Sequence, residues 1–152
     1  MIQYVTGDIF NSNVQALVNP VNTVGVMGKG LALQFKKKYP DNFKEYAKAC
    51  KNGELTIGKM FVYTENQLNN KKIIINFPTK ISWREKNKLE YIIEGLKNLY
   101  VTVKRLNIYS IAIPPLGCGL GGLLWEDVKK EIEKVFINDS EIIAFVYIPS
   151  KI

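Results

Sequence analysis

A chain of 152 residues, 47% hydrophobic and 23% charged, suits one domain around a single core and is too ordinary in composition to be disordered or fibrous. It contains no histidine, which excludes Ser-His-Asp and Cys-His nucleophile systems, helical His zinc sites and imidazole acid–base steps. A formal net charge of +7 points to an anionic partner or to solubility alone.

No apolar run approaches the roughly 20 residues a bilayer span needs, so no membrane association is expected. Cys50 and Cys118 match no metal-ligand spacing and make no disulfide framework. Met1 leads straight into alternating strand sequence rather than a signal peptide. The expectation is a cytoplasmic, reduced, monomeric protein forming a single domain over 1–152.

In chain order, residues 1–5 read as a strand ending at the turn Thr6-Gly7-Asp8, and 14–18 as a second strand closed by Asn19-Pro20. The glycine-rich segment 25–30 opens a helix to about Tyr39. Pro40 stops it, and Asp41 is expected to cap the next helix, which ends near Gly53. Residues 59–64 and 72–77 are strands rich in apolar and β-branched side chains. Ser82-Trp83-Arg84-Glu85 has the form of a capping box. The helix after it carries Leu89, Ile92, Ile93, Leu96 and Leu99 on one face. A strand over 107–113 runs into Pro114-Pro115 and a second glycine-rich loop, 117–122. Trp125, Val128, Ile132, Val135 and Phe136 mark the core face of the last helix, and 142–148 is the last strand. Lys36, Lys37 and Lys38 read as a solvated face.

Strands alternating with amphipathic helices imply helices on both faces of a mainly parallel or mixed sheet, with ligands bound beyond the carboxyl ends of the strands. Both glycine-rich loops follow strands, so both are expected at that rim. Successive N–H groups at a helix start can cradle a phosphate, and two such loops at one edge suggest a diphosphate held between them. Neither loop is a P-loop, because the Gly-Lys-Ser/Thr ending is missing, and neither has the Rossmann spacing.

Thr6-Gly7-Asp8-Ile9, Val18-Asn19-Pro20-Val21-Asn22 and the loop to Gly30 resemble the opening of macrodomains, the ADP-ribose-binding family. Pro114-Pro115-Leu116-Gly117-Cys118-Gly119 resembles their second phosphate loop. Within that family, the segments 22–30 and 76–84 (Asn-Phe-Pro-Thr-Lys-x-x-Trp-Arg) resemble the DarG subgroup, DNA ADP-ribosyl glycohydrolases that act as antitoxins against a DNA-modifying toxin. Gly121 stands where the related glutamate-directed subgroup has an aspartate, which points toward the DNA-directed one.

The resemblance implies a three-layer α/β/α macrodomain with a central mixed, mostly parallel sheet. It implies a hydrolase of ADP-ribose linked to thymidine in single-stranded DNA, needing no cofactor or metal, with the cognate DNA ADP-ribosyltransferase toxin as a further partner. It also implies site roles. Asp8 and the backbone of Ile9 would hold adenine. Val26, Met27, Gly28, Lys29, Gly30, Thr79, Pro115, Gly117, Cys118, Gly119, Leu120 and Gly121 would bind ADP-ribose. Of these, 28–30 and 117–121 would hold the phosphates and distal ribose through backbone N–H groups, and Met27 and Leu120 would line the pocket. Asn22 would hold the distal ribose, against the alternative of a buried amide that satisfies loop backbone. Lys80 is the catalytic candidate, against the alternative of a surface lysine. An ordinary lysine has a pKa near 10.4, so two mechanisms stay open: attack or proton abstraction by a neutral amine, or protonation of the departing base by a charged one. Trp83 and Arg84 either stack on unpaired DNA bases or, for Trp83, pack under the helix that follows. Hydrolysis of other ADP-ribose conjugates, and a reader without chemistry, are the competing functions.

Overall fold

The computed structural model describes residues 1–67, 70–119 and 122–150. Among these, the order is β1 (Ile2–Val5), β2 (Ala16–Asn22), α1 (Gly30–Lys38), α2 (Pro40–Lys51), β3 (Phe61–Gln67), β4 (Asn70–Lys80), α3 (Leu89–Arg105), β5 (Ser110–Ile113), α4 (Trp125–Phe136) and β6 (Ile143–Tyr147), with a short 3₁₀ turn at Ile9–Asn11. The strands form one sheet in the order β1-β6-β5-β2-β4-β3. Every neighbouring pair is parallel except β3 with β4.

The layers follow from the two-residue period of the strands. Ala16 and Val18 of β2 face a core built with Ile92, Leu96 and Leu99 of α3 and Val128, Ile132 and Phe136 of α4. Leu17 faces the other way, onto Phe35 of α1. Val21, Met27, Tyr46, Ala49 and Leu55 make a third cluster under α2. Helices therefore cover both faces, and each fully buried large side chain stabilises the fold by about 1.5–3 kcal/mol. The α3 layer lies close to the sheet, since a Cβ on Gly95 would sit 2.2 Å from Cζ of the buried Phe77. Three fully buried asparagines, Asn19, Asn42 and Asn76, tie β2, α2 and β4 together through their amides.

Several expectations need correction. Asn19-Pro20 does not close β2, which runs on to Asn22. Its pairing with β5 stops at Leu17, so beyond that point this flank carries no ladder and a residue without an N–H is tolerated. Pro40 does not merely stop α1; it is the first residue of α2, where a missing N–H costs no helical bond. Asp41 sits in the first turn instead of capping it. Asn107 has φ 54°, a left-handed turn that delays β5 until Ser110. The capping-box residues do bond one another, Ser82 N–H to Glu85 Oε1 (2.9 Å) and Arg84 N–H to Ser82 Oγ (3.3 Å). They close a free-standing turn, however, because α3 begins only at Leu89.

At the end of the sheet away from the carboxyl rim, Asp139 accepts from Tyr100 Oη (2.6 Å), Lys104 Nζ (3.2 Å) and the N–H groups of Glu141 and Ile142 (2.8 and 3.1 Å). The Tyr100 hydroxyl above all, then the backbone N–H groups and Lys104, holds its carboxyl well below the usual carboxylate range. A depressed folded-state pKa contributes stability that is present above the unfolded value near 3.9 and is lost as pH falls below it through the folded value. Asp139→Asn should lower the melting temperature at pH 7 by roughly 3–8 °C. Thermal melts across pH should show the gap to wild type narrowing in acid.

Candidate functional site

The strand order places the carboxyl ends of β5, β2 and β4 side by side. The segments that leave them, residues 114–119, 23–29 and 81–88, therefore start at one rim, and β1 delivers Asp8 to the same edge. The first glycine-rich loop and the described part of the second, through Gly119, start at the rim the sequence predicts.

Asn22 ends β2 and is 5% exposed. Its Oδ1 is surrounded by the N–H groups of Val24, Gly25 and Val26 (3.1, 3.2 and 3.3 Å) and by Tyr46 Oη (2.8 Å). Its Nδ2 donates to Val26 O at 2.7 Å. This is the loop-satisfying amide of the bland alternative. Of the four bonding positions of an amide, one Nδ2 proton remains for a ligand. Tyr46, fully buried in α2, is the functional neighbour that sequence reasoning missed. Its hydroxyl is 2.8 Å from both the backbone and the side-chain oxygen of Asn22. The available signal was a polar pair, Asn42 and Tyr46, one turn apart on the buried face of α2.

Met27 is 1% exposed and packs against Val21, Tyr46, Ala49 and Leu55, so its side chain anchors the loop and lines no pocket. Gly28, Lys29 and Gly30 are left exposed beside it. The first turn of α1 has neither a side-chain cap nor an acidic residue. Its N–H groups and dipole are thus available to an anion.

In the second loop, Gly117 adopts φ 74°, and a Cβ there would meet Leu123 Cδ1 at 2.7 Å and Asn87 Nδ2 at 3.2 Å. Only glycine fits this turn, which Leu123 N–H to Gly117 O (3.0 Å) closes. Cys118 is half-buried with Sγ on Leu116 O, and burial pushes its thiol up to about 11. It stays a neutral thiol at neutral pH, so it offers backbone and no nucleophile. Pro115 is half-buried and Gly119 exposed at the same rim; Leu120 and Gly121 lie outside the described residues.

β2 and β4 pair in register up to Val21 opposite Pro78, and then Asn22 opposes Lys80. Thr79 is the extra residue of this bulge, and a bulge re-aims the side chain that follows it. Thr79 is 4% exposed with its hydroxyl on Val21 O (3.3 Å), so its side chain serves the sheet and not a ligand. Lys80 is the last residue of β4 rather than lying past it. It is half-buried, its amine donates to Trp83 O at 3.5 Å, and among the described residues it has no carboxylate partner. Asn22 and Lys80, distant in sequence, are thereby cross-strand neighbours.

Asp8 is exposed and its Oδ1 caps the 3₁₀ turn by accepting from Phe10 N–H (2.9 Å). Ile9 is buried against Leu17 and Phe35, so only its backbone reaches the rim. Trp83 is 47% exposed, with the Arg84 guanidinium 4.8 Å from its ring centroid. The alternative in which Trp83 packs under α3 is therefore wrong: the helix starts too late to cover it. Lys36, Lys37 and Lys38 are exposed, as expected of a solvated face.

The Macro domain family profile matches residues 18–132. The DNA ADP-ribosyl glycohydrolase of Mycobacterium tuberculosis is 54% identical over 150 residues, which are 99% of this chain and 43% of that protein. The solved macrodomain of Mycobacterium tuberculosis DarG matches with a TM-score of 0.95, covering 99% of both chains at 54% identity. Thermosipho africanus DarTG in complex with ADP-ribose matches at a TM-score of 0.92 and 35% identity, over 99% of this chain and 43% of that one. The chain thus spans about two fifths of the length of the curated relatives it matches.

Proposed function

The chain belongs to the Macro domain family, and from that premise we propose that it is a glycohydrolase that releases ADP-ribose from thymidine in single-stranded DNA, acting as a monomer against a DNA-modifying toxin. The observation that carries this reading is the bulge that sets Lys80 opposite Asn22, at the rim where the loops after β2 and β5 begin. The identity to DNA ADP-ribosyl glycohydrolases across nearly the whole chain supports the choice of substrate.

In this reading Asp8 accepts from the adenine amino group and the diphosphate lies across the two loops, on N–H groups at the start of α1 and around Gly117 to Gly119. The distal ribose then meets the remaining Nδ2 proton of Asn22 and the amine of Lys80. Lys80 acts as the proton donor. As the bond from the anomeric carbon to the base nitrogen breaks, the bonding pair leaves with the base and the Lys80 ammonium protonates it. Water adds to the anomeric carbon and returns a proton to the amine. A donor role fits the one contact of the amine, an N–H directed at the Trp83 carbonyl. A base joined through its pairing edge is out of reach in a duplex, so the substrate is single-stranded or flipped.

Incubation with a single strand carrying ADP-ribosyl-thymidine should yield intact oligonucleotide and free ADP-ribose by mass spectrometry. An untouched adduct from protein that still binds ADP-ribose would make this a reader instead. Tyr46→Phe tests the scaffold beneath the site. It removes one donor to Asn22 and leaves the three N–H groups, so it should cost about 1 kcal/mol, seen in calorimetry as roughly fivefold weaker ADP-ribose binding.

A further inference from the structure

We propose that the mouth of the site carries a separate seat for the nucleotide flanking the modified one in a single strand, with Trp83 and Arg84 as its stacking pair and Val24, Val26 and Ile81 as its apolar side. The inference rests on the glycohydrolase reading. Val24, Val26, Ile81 and Trp83 are 50%, 40%, 46% and 47% exposed, whereas Val21 and Met27 in the same stretch are buried. Their exposure is not that of loose loops. Thr23 donates both its N–H and its hydroxyl to Ile81 O (3.0 Å each), which fastens the loop after β2 to the segment after β4. Asn22 Nδ2 holds the Val26 carbonyl at 2.7 Å. The Ser82–Glu85 turn, with no helix to cap, is left to present Trp83 and Arg84 at its tip.

The occupant follows from chemistry. A guanidinium already lies over the indole at 4.8 Å, and an aromatic paired with a cation is the usual platform for an unpaired base. In the loops that carry these residues, Lys29, Arg84, Lys86 and Lys88 are exposed cations. The carboxylate of Glu85, the acidic residue within 81–88, is held by Ser82 N–H. The patch is therefore apolar at its centre and positive at its edge, which complements stacked bases and their phosphates. It also adjoins the chemistry, since the Trp83 carbonyl is the acceptor of the Lys80 amine. A strand with its modified base at Lys80 would run its neighbour onto the indole.

The test compares wild type, Trp83→Ala and Trp83→Tyr. KM and kcat are measured on an ADP-ribosylated single strand and on the same strand with abasic residues flanking the adduct. Affinity for an unmodified labelled strand is measured by anisotropy. Trp83→Ala should raise KM on the base-flanked strand roughly 10- to 100-fold with little change in kcat, and weaken the unmodified strand similarly. Trp83→Tyr should recover most of the loss, and abasic flanks should bring wild type down to the alanine variant. Equal KM and equal strand affinity for wild type and Trp83→Ala would overturn the seat, and would be the outcome if the patch instead serves a protein. Absence of any ADP-ribose release by wild type would sink the functional reading alone, because strand affinity still decides the seat.

Discussion

Replacing Lys80 by alanine should leave ADP-ribose bound within a few-fold of wild-type affinity while its release from DNA falls by about 10²–10⁴-fold, the range spanned by a positioned proton donor. The asymmetry follows from the surroundings of the side chain. Its amine makes one long hydrogen bond, to Trp83 O at 3.5 Å, and no carboxylate depends on it among the described residues. Removing it leaves no buried partner unsatisfied, so the fold and the two phosphate-binding loops should persist. A loss confined to kcat marks an interaction made only in the transition state. Lys80→Arg keeps a charge but fixes it in a planar fork that cannot occupy the same point, so it should not restore turnover. If both variants retained full activity, Lys80 would be a surface lysine and no more.

Asn22→Ala should behave in the opposite way, with ADP-ribose affinity lost along with turnover. Its Oδ1 gathers three consecutive N–H groups and the Tyr46 hydroxyl, and its Nδ2 holds the Val26 carbonyl. Alanine frees all of these at once in a position 5% exposed. Leaving buried groups unpaired costs about 1–3 kcal/mol each, and even if water recovers most of them the loop after β2 loses its shape. A drop in ADP-ribose affinity of roughly 30-fold or more by calorimetry is expected. Asn22→Asp should also fail, because a carboxylate cannot donate to Val26 O. Affinity unchanged in Asn22→Ala would show that the loop stands without its amide.

These two residues illustrate what was legible in the chain. Periodicity placed the strands and helices in order, because apolar side chains at intervals of two and of three to four have few other uses. It missed where tertiary context overrode a local rule. Pro20 reads as a terminator, yet β2 has a flank without a ladder there. Ser82 and Glu85 read as a helix start, yet their bonds close a turn that the helix does not join. Position in the motif brought Lys80 to the rim, but the bulge at Thr79 that sets it opposite Asn22 has no local signature. Met27 and Thr79 sit within a recognisable motif, and only burial separates them from the residues around them that face a ligand. Tyr46 lies outside every motif, and its part depends on α2 packing beneath the end of β2.

Turnover by Lys80 depends on one distance, from its amine to the anomeric carbon of the distal ribose. A crystal structure with ADP-ribose should place the diphosphate between the loops that follow β2 and β5, with the Lys80 nitrogen about 3–3.5 Å from the reacting centre. A ligand held in that cleft with Lys80 turned to solvent and another side chain at the anomeric carbon would contradict the account.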